Sequence, residues 1–180
     1  MRFAEAGIHR MSKLRAKTLI LLVIWLLSNP LSVYSGEGGG VHWPSFRGPN
    51  AGGVAEGFST PTTWNVEKGE DLKWKTPIPG LAHSSPIVWG DRLFVTSAVT
   101  EEKDPQLRVG LYGDITPVAN DPEHRWLVYC LDKRTGKPLW EKEACRGVPK
   151  VKRHTKATHA NATPATDGKH VVAFFGSEGL

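Results

Sequence analysis

The stretch "CLDKRTGKPLWEKE" (residues 130–143) decides the fold. Its Thr135-Gly136-Lys137 imitates the end of a phosphate loop. Such a loop needs an opening glycine, a Ser or Thr after the lysine, and a helix to follow. Here Leu131 occupies the place of the opening glycine, Pro138 follows Lys137, and strand-like text lies on both sides. An architectural reading accounts for more of the residues. Asp132 closes an apolar run and caps the next turn with its own carboxylate, and Thr135 does the same from the other side. Gly136 supplies a backbone position with positive φ. Trp140 arrives four residues later on the returning strand, with an aromatic surface large enough to dock on a neighbouring sheet.

Outward from this turn the chain consists of short apolar runs between turn signals. They are "DLKWKTPI" (71–78), "SPIVWG" (85–90), "RLFVTSA" (92–98), "RWLVYCLD" (125–132), "KPLWEKE" (137–143) and "HVVAFFG" (170–176). Each has the length of a strand, is rich in β-branched or aromatic residues, and is bounded by Gly, Pro, Asp or Asn. None carries the i, i+3, i+4, i+7 stripe of an amphipathic helix. Several are apolar at consecutive positions, which predicts strands covered on both faces. The expected fold class is all-β.

Two of these segments repeat. "SSPIVWGDRLFV" (84–95) aligns with "ATPATDGKHVVA" (162–173), placing Pro86 on Pro164, Gly90 on Gly168 and Leu93 on Val171. Leu72-Lys73-Trp74-Lys75 likewise matches Pro138-Leu139-Trp140-Glu141. The unit is a strand ending in Trp, a linker, a Ser/Thr-Pro strand, a Gly/Asp turn and another apolar strand. Units of this kind run about 40–50 residues in propellers. The polar segment 100–124 is expected to be an insertion in one unit.

The spacing Asp132-x-x-Thr135-Gly136-x-x-x-Trp140 resembles the tryptophan-docking motif of the pyrroloquinoline-quinone (PQQ)-like β-propeller repeat. "WPSFRGPNAGGV" (43–54), and "WNVEKGEDLKWKTPI" with "SSPIVWGDRLFV", are similar to the opening and first blade of exported proteins of that family. The resemblance spans residues 42–180. It implies a quinoprotein-like propeller of four-stranded blades, about two of them in this chain, with the Trp of one blade stacked on the Gly-containing turn of the next. A propeller closes with about 4–8 blades. The chain is therefore expected to be the N-terminal portion of a longer protein.

The family implies two unlike functions. One group oxidises alcohols or sugars with PQQ and Ca²⁺, hydride passing to the quinone. It carries an adjacent-Cys disulfide, a carboxylate and amide set for Ca²⁺, and an Asp base. The other is made of non-catalytic envelope proteins, including a lipoprotein that helps to assemble outer-membrane β-barrels. Cys130 and Cys145 are not adjacent, no acidic cluster matches a Ca²⁺ site, and no Cys stands where lipidation would need it. The expected role is a non-catalytic cell-envelope scaffold binding protein partners, with no cofactor and no metal. The alternative is the N-terminal part of a PQQ- and Ca²⁺-dependent dehydrogenase. No catalytic residue is assigned.

The net charge of +5 points to no nucleic-acid partner. Residues 1–35 hold Arg2, Arg10, Lys13, Arg15 and Lys17 against Glu5, so +4 of it lies there and the other 145 residues carry +1. The same stretch reads as an export signal, with a basic start, the apolar run "LILLVIWLL" (19–27) and small residues before a cleavage point after Ser35. The apolar run is shorter than the roughly 20 residues of a spanning helix. The expected organisation is a signal peptide over 1–35, a Gly/Pro-rich arm over 36–60 and propeller repeats over 61–180. The expected location is the periplasm, the envelope or the outside, with membrane contact only through the signal. Two cysteines in an oxidising compartment leave both a disulfide and free thiols open.

One further stretch could carry chemistry. "GVPKVKRHTKATHAN" (147–161) places Lys150, Lys152, Arg153, His154 and Lys156 together without an acid, the composition of an anion-binding lip or of a solvated loop. His154 and His159 are five apart with no carboxylate in the same stretch.

Overall fold

A computed structural model describes residues 41–102, 107–108 and 117–180; the expected signal segment lies outside them. Among the described residues the fold is all-β. Five strands form one antiparallel meander: β1 (His42–Trp43), β2 (Ile87–Trp89), β3 (Arg92–Val99), β4 (His124–Asp132) and β5 (Pro138–Gly147). A second sheet pairs β6 (Ala165–Thr166) with β7 (Val171–Val172). Short 3-10 turns occupy Pro49–Ala51 and Gly176–Glu178. No helix among these residues is long and apolar enough to cross a membrane.

The repeat seen in the sequence is also a repeat of strand pairing. In the β2–β3 hairpin Ile87 faces Phe94 and Val88 faces Leu93. In the β6–β7 hairpin Ala165 faces Val172 and Thr166 faces Val171. Adding 78 to each residue of the first hairpin gives its counterpart in the second. The two hairpins also touch at that offset, where Ser85 N–H donates to Thr163 Oγ1 at 3.0 Å. The structure thus holds a run of four antiparallel strands, β2–β5, and a second hairpin, β6–β7, equivalent to the first.

The consecutive apolar positions of β4 are explained by cover on both faces. On one side Leu127, Tyr129 and Leu131 pack with Ile78, Leu93 and Val99. On the other side Trp126 joins Ala98, Ala160 and Phe175, and Cys130 joins Ile87 and Phe94 against Trp89, Trp140 and Val171. β5 is the outer strand and is largely exposed. Its charges pair sideways: Arg125 binds Glu143 at 2.6 Å and Glu141 at 3.2 Å, and Arg146 binds Glu143 at 3.0 Å. Charged side chains along an outer strand discourage unplanned pairing with other chains.

Two expectations of the sequence are modified. The run 71–78 is not a strand but an extended segment laid against the sheet, and Pro77 and Pro79 beside it lack the N–H that a ladder requires. The run 170–176 pairs only through Val171 and Val172 before the chain turns, with Phe175 N–H donating to Gly179 O at 2.8 Å. Within the described part of the arm, β1 extends the sheet beyond β2, and Thr166 N–H donates to Pro44 O at 2.9 Å, tying the arm to the second hairpin. Arg47 lies beside Gly53. Cys130 and Cys145 are both free thiols, on neighbouring strands β4 and β5.

Candidate functional site

The turn between β4 and β5 is built by the residues its sequence singles out. Asp132 Oδ1 accepts from the Arg134 and Thr135 N–H groups at 2.9 and 2.8 Å and from Thr135 Oγ1 at 2.9 Å. These donors, the Thr135 N–H foremost, hold the Asp132 carboxyl below its ordinary range. Gly136 has φ 70 and donates its N–H to Asp132 O at 2.8 Å.

The ring docked on this turn is Trp74, from the segment before the unit. Its indole Nε1–H donates to Lys133 O at 2.9 Å, and Thr76 Oγ1 donates to Gly136 O at 2.7 Å. A Cβ on Gly136 would stand 2.5 Å from Trp74 Cδ2 and 2.6 Å from Thr76 Oγ1, so glycine is required both for its φ and for the flat surface it presents. A second ring-on-glycine seam joins the two hairpins: Trp89 covers Gly168, whose φ is 89, and an added Cβ there would lie 2.7 Å from Trp89 Cζ2. Trp140 takes neither place. It lies tilted at 5.9 Å from Phe94 and lines a groove of about 300 Å³ shared with Gly168 and Val171.

The basic loop does not converge on one point. Lys150 is turned to Glu178 and to Ser177 O, and Lys152 Nζ donates to Ala119 O at 2.7 Å. Arg153 donates through Nη1 to Ala157 O at 3.0 Å. His154 Nδ1 accepts the Lys156 N–H at 3.0 Å.

The loop's other histidine reaches a different environment. His159 Nε2 is 2.8 Å from Asp121 Oδ2, and His124 Nε2 is 4.0 Å from Asp121 Oδ1. The side chains of Asp121, His124 and His159 are 3%, 7% and 8% exposed, and one ligand atom from each lies within 4.8 Å of the others. Asp121 and His124 come from the end of the insertion and the start of β4, while His159 comes from the loop before β6. Trp126 fixes the arrangement: its Nε1–H donates to His159 O at 3.2 Å, and its ring lies 5.8 Å from the His124 ring and 5.9 Å from the His159 ring. Burial lowers the His124 pKa, opposed by its hydrogen bond to Pro122 O at 2.6 Å. The neutral ring is therefore favoured.

This cluster escaped the sequence reading because its members lie 38 positions apart in the chain. The only local signal was Asp121-x-x-His124 leading into a strand, a short and unspecific spacing. Asp121 and His124 line a pocket of about 180 Å³ with Gly80, Thr100, Glu102 and Arg153. His159 lines a larger cleft of about 350 Å³ with Phe174 and Phe175. No protein-family model, curated protein or solved structure matches this chain.

Proposed function

We propose that this chain is the opening part of an exported PQQ-like β-propeller acting as a non-catalytic cell-envelope scaffold for protein partners. The observation that carries this reading is the Trp74 ring seated on the Gly136 turn by two hydrogen bonds. A ring-on-turn contact of this kind clamps the segment before β2 onto the β4–β5 turn, and contacts between neighbouring pieces are what stiffen a repeat protein. The Trp89–Gly168 seam between equivalent hairpins supports the same reading. A platform of this sort leaves its outer strand and its loops for partners, and β5 is largely exposed.

The test is site-specific photo-crosslinking in the exporting cell, from a benzophenone residue at exposed Lys142 on β5 and, for comparison, at partly buried Val128 on β4. Discrete protein adducts from position 142 and none from 128 are expected. The protein purified from the exporting cell and supplied with PQQ and Ca²⁺ should not reduce an electron-accepting dye when an alcohol is added. Alcohol-dependent dye reduction would overturn the scaffold reading in favour of a quinoprotein dehydrogenase.

A further inference from the structure

We propose that Asp121, His124 and His159 form a binding site for one divalent ion of the Zn²⁺ class, with a coordination position open to the adjacent pocket. Each of the three supplies a ligand type that such an ion accepts, two imidazoles and one carboxylate. All three side chains are more than nine-tenths buried, and their ligand atoms already lie within 4.8 Å of one another. A tetrahedral ion at about 2.0–2.2 Å from each ligand needs them roughly 3.3–3.5 Å apart. The present His159–Asp121 and His124–Asp121 separations of 2.8 and 4.0 Å bracket that distance.

The independent observation is the state of His124. The Pro122 carbonyl, 2.6 Å from Nδ1, can only accept, so Nδ1 carries the proton and Nε2 presents its lone pair. That lone pair has no hydrogen-bond partner among the described residues, and Asp121 Oδ1 lies 4.0 Å from it. It is not sealed in protein, since the buried side-chain atoms without a partner among the described residues are Tyr129 Oη and Thr155 Oγ1; it is open to the pocket that His124 lines. This is the normal condition of a histidine whose far nitrogen is anchored by a carbonyl so that the near one can bind metal.

The surroundings fit the same role. Asp121 is oriented by the Arg153 N–H, which donates to Oδ2 at 3.2 Å. His159 is held through its carbonyl by Trp126. The ion would take the place of the proton between His159 Nε2 and Asp121 Oδ2, the ring then carrying its proton on Nδ1. Three protein ligands leave a fourth position, and Asp121 and His124 place it against the pocket that Thr100 and Glu102 also line. The Arg153 side chain lines this pocket too, and its positive charge opposes a cation and lowers the expected affinity.

The test is titration of the full chain with Co²⁺ alone, read by its visible d–d absorption, followed by displacement with Zn²⁺. One ion per chain is expected, with the intense bands of four-coordinate cobalt. The H159Q variant keeps an amide donor for Asp121 and should preserve the near-ultraviolet circular dichroism of the native chain. Its Co²⁺ affinity should fall at least about tenfold to a hundredfold, as loss of a ligand must cost no less than loss of its support. H124N should do the same, whereas H83Q, at an exposed histidine, should bind as the native chain does. Failure of the native chain to bind Co²⁺ or Zn²⁺ at millimolar concentration would overturn the proposal. Unchanged affinity in a folded H159Q or H124N would overturn it equally.

Discussion

Replacing Gly136 by Ala isolates the contact that holds the segment 71–78 on the β4–β5 turn. The added Cβ meets Trp74 Cδ2 and Thr76 Oγ1 at separations that no side chain tolerates, and φ 70 is itself unfavourable for alanine. Gly90 is the internal control, because its φ is 59 and nothing lies within 4 Å of a Cβ placed there. Gly90→Ala should therefore cost only the left-handed backbone term, about 1–2 kcal/mol. Gly136→Ala should add the Trp74 indole bond and the Thr76 hydroxyl bond, about 1 kcal/mol each, and about 1 kcal/mol of apolar contact from the half-buried ring. The expected total is about 4–5 kcal/mol. Trp74→Ala removes the indole bond and ring contact and should cost about 2 kcal/mol by the same terms. The Trp74→Ala/Gly136→Ala pair should then cost about 4 kcal/mol, well below the sum of the singles, because with the ring gone the methyl has less to strike. Urea unfolding followed by near-ultraviolet circular dichroism measures all four variants. Equal losses for Gly136→Ala and Gly90→Ala, or strict additivity in the cycle, would refute the docking energetics.

The second seam gives a parallel expectation. Gly168→Ala, with the Trp89 ring against its Cα, should destabilise more than Gly90→Ala in the same urea experiment. Glu143 is held down to about 2 by hydrogen bonds first from Arg146 and then from Arg125. Its contribution to stability is therefore complete above its ordinary pKa of 4.5 and is lost as pH falls from there through about 2. Carboxyl ¹³C resonances should show that depressed midpoint, and added salt should move it back towards 4.5, since the group is exposed.

The all-β class, the Asp132 cap and the positive φ of Gly136 were legible because turn chemistry is local. The capping oxygen, the hydroxyl and the glycine sit within five residues of one another and dictate one geometry. The repeat was legible for a related reason, since strands with the same turn and the same alternation must pair in the same register. Identifying the ring on the Gly136 turn needed more than spacing. Trp140 follows the turn in the chain, but the docked ring is Trp74, 59 residues before the carbonyl it binds. Likewise His159 gained its carboxylate from Asp121 at the end of an insertion, and only the antiparallel return of β4 brings His124 beside both. Contacts of this range depend on how units pack, which no local pattern encodes. The strand expected over 71–78 failed where Pro77 and Pro79 removed donors that a periodicity count ignores.

Exchange of the indole N–H protons with deuterium, followed by ¹⁵N-resolved NMR with Trp74→Phe used for assignment, tests most directly the claim that the Trp74 ring is locked on the β4–β5 turn. Trp74 Nε1–H is bonded to Lys133 O, whereas Trp64 is 68% exposed. The expected result is an indole proton of Trp74 that exchanges far more slowly than that of Trp64 and becomes as fast in Gly136→Ala. Exchange of Trp74 as rapid as that of Trp64 in the native chain would contradict the account.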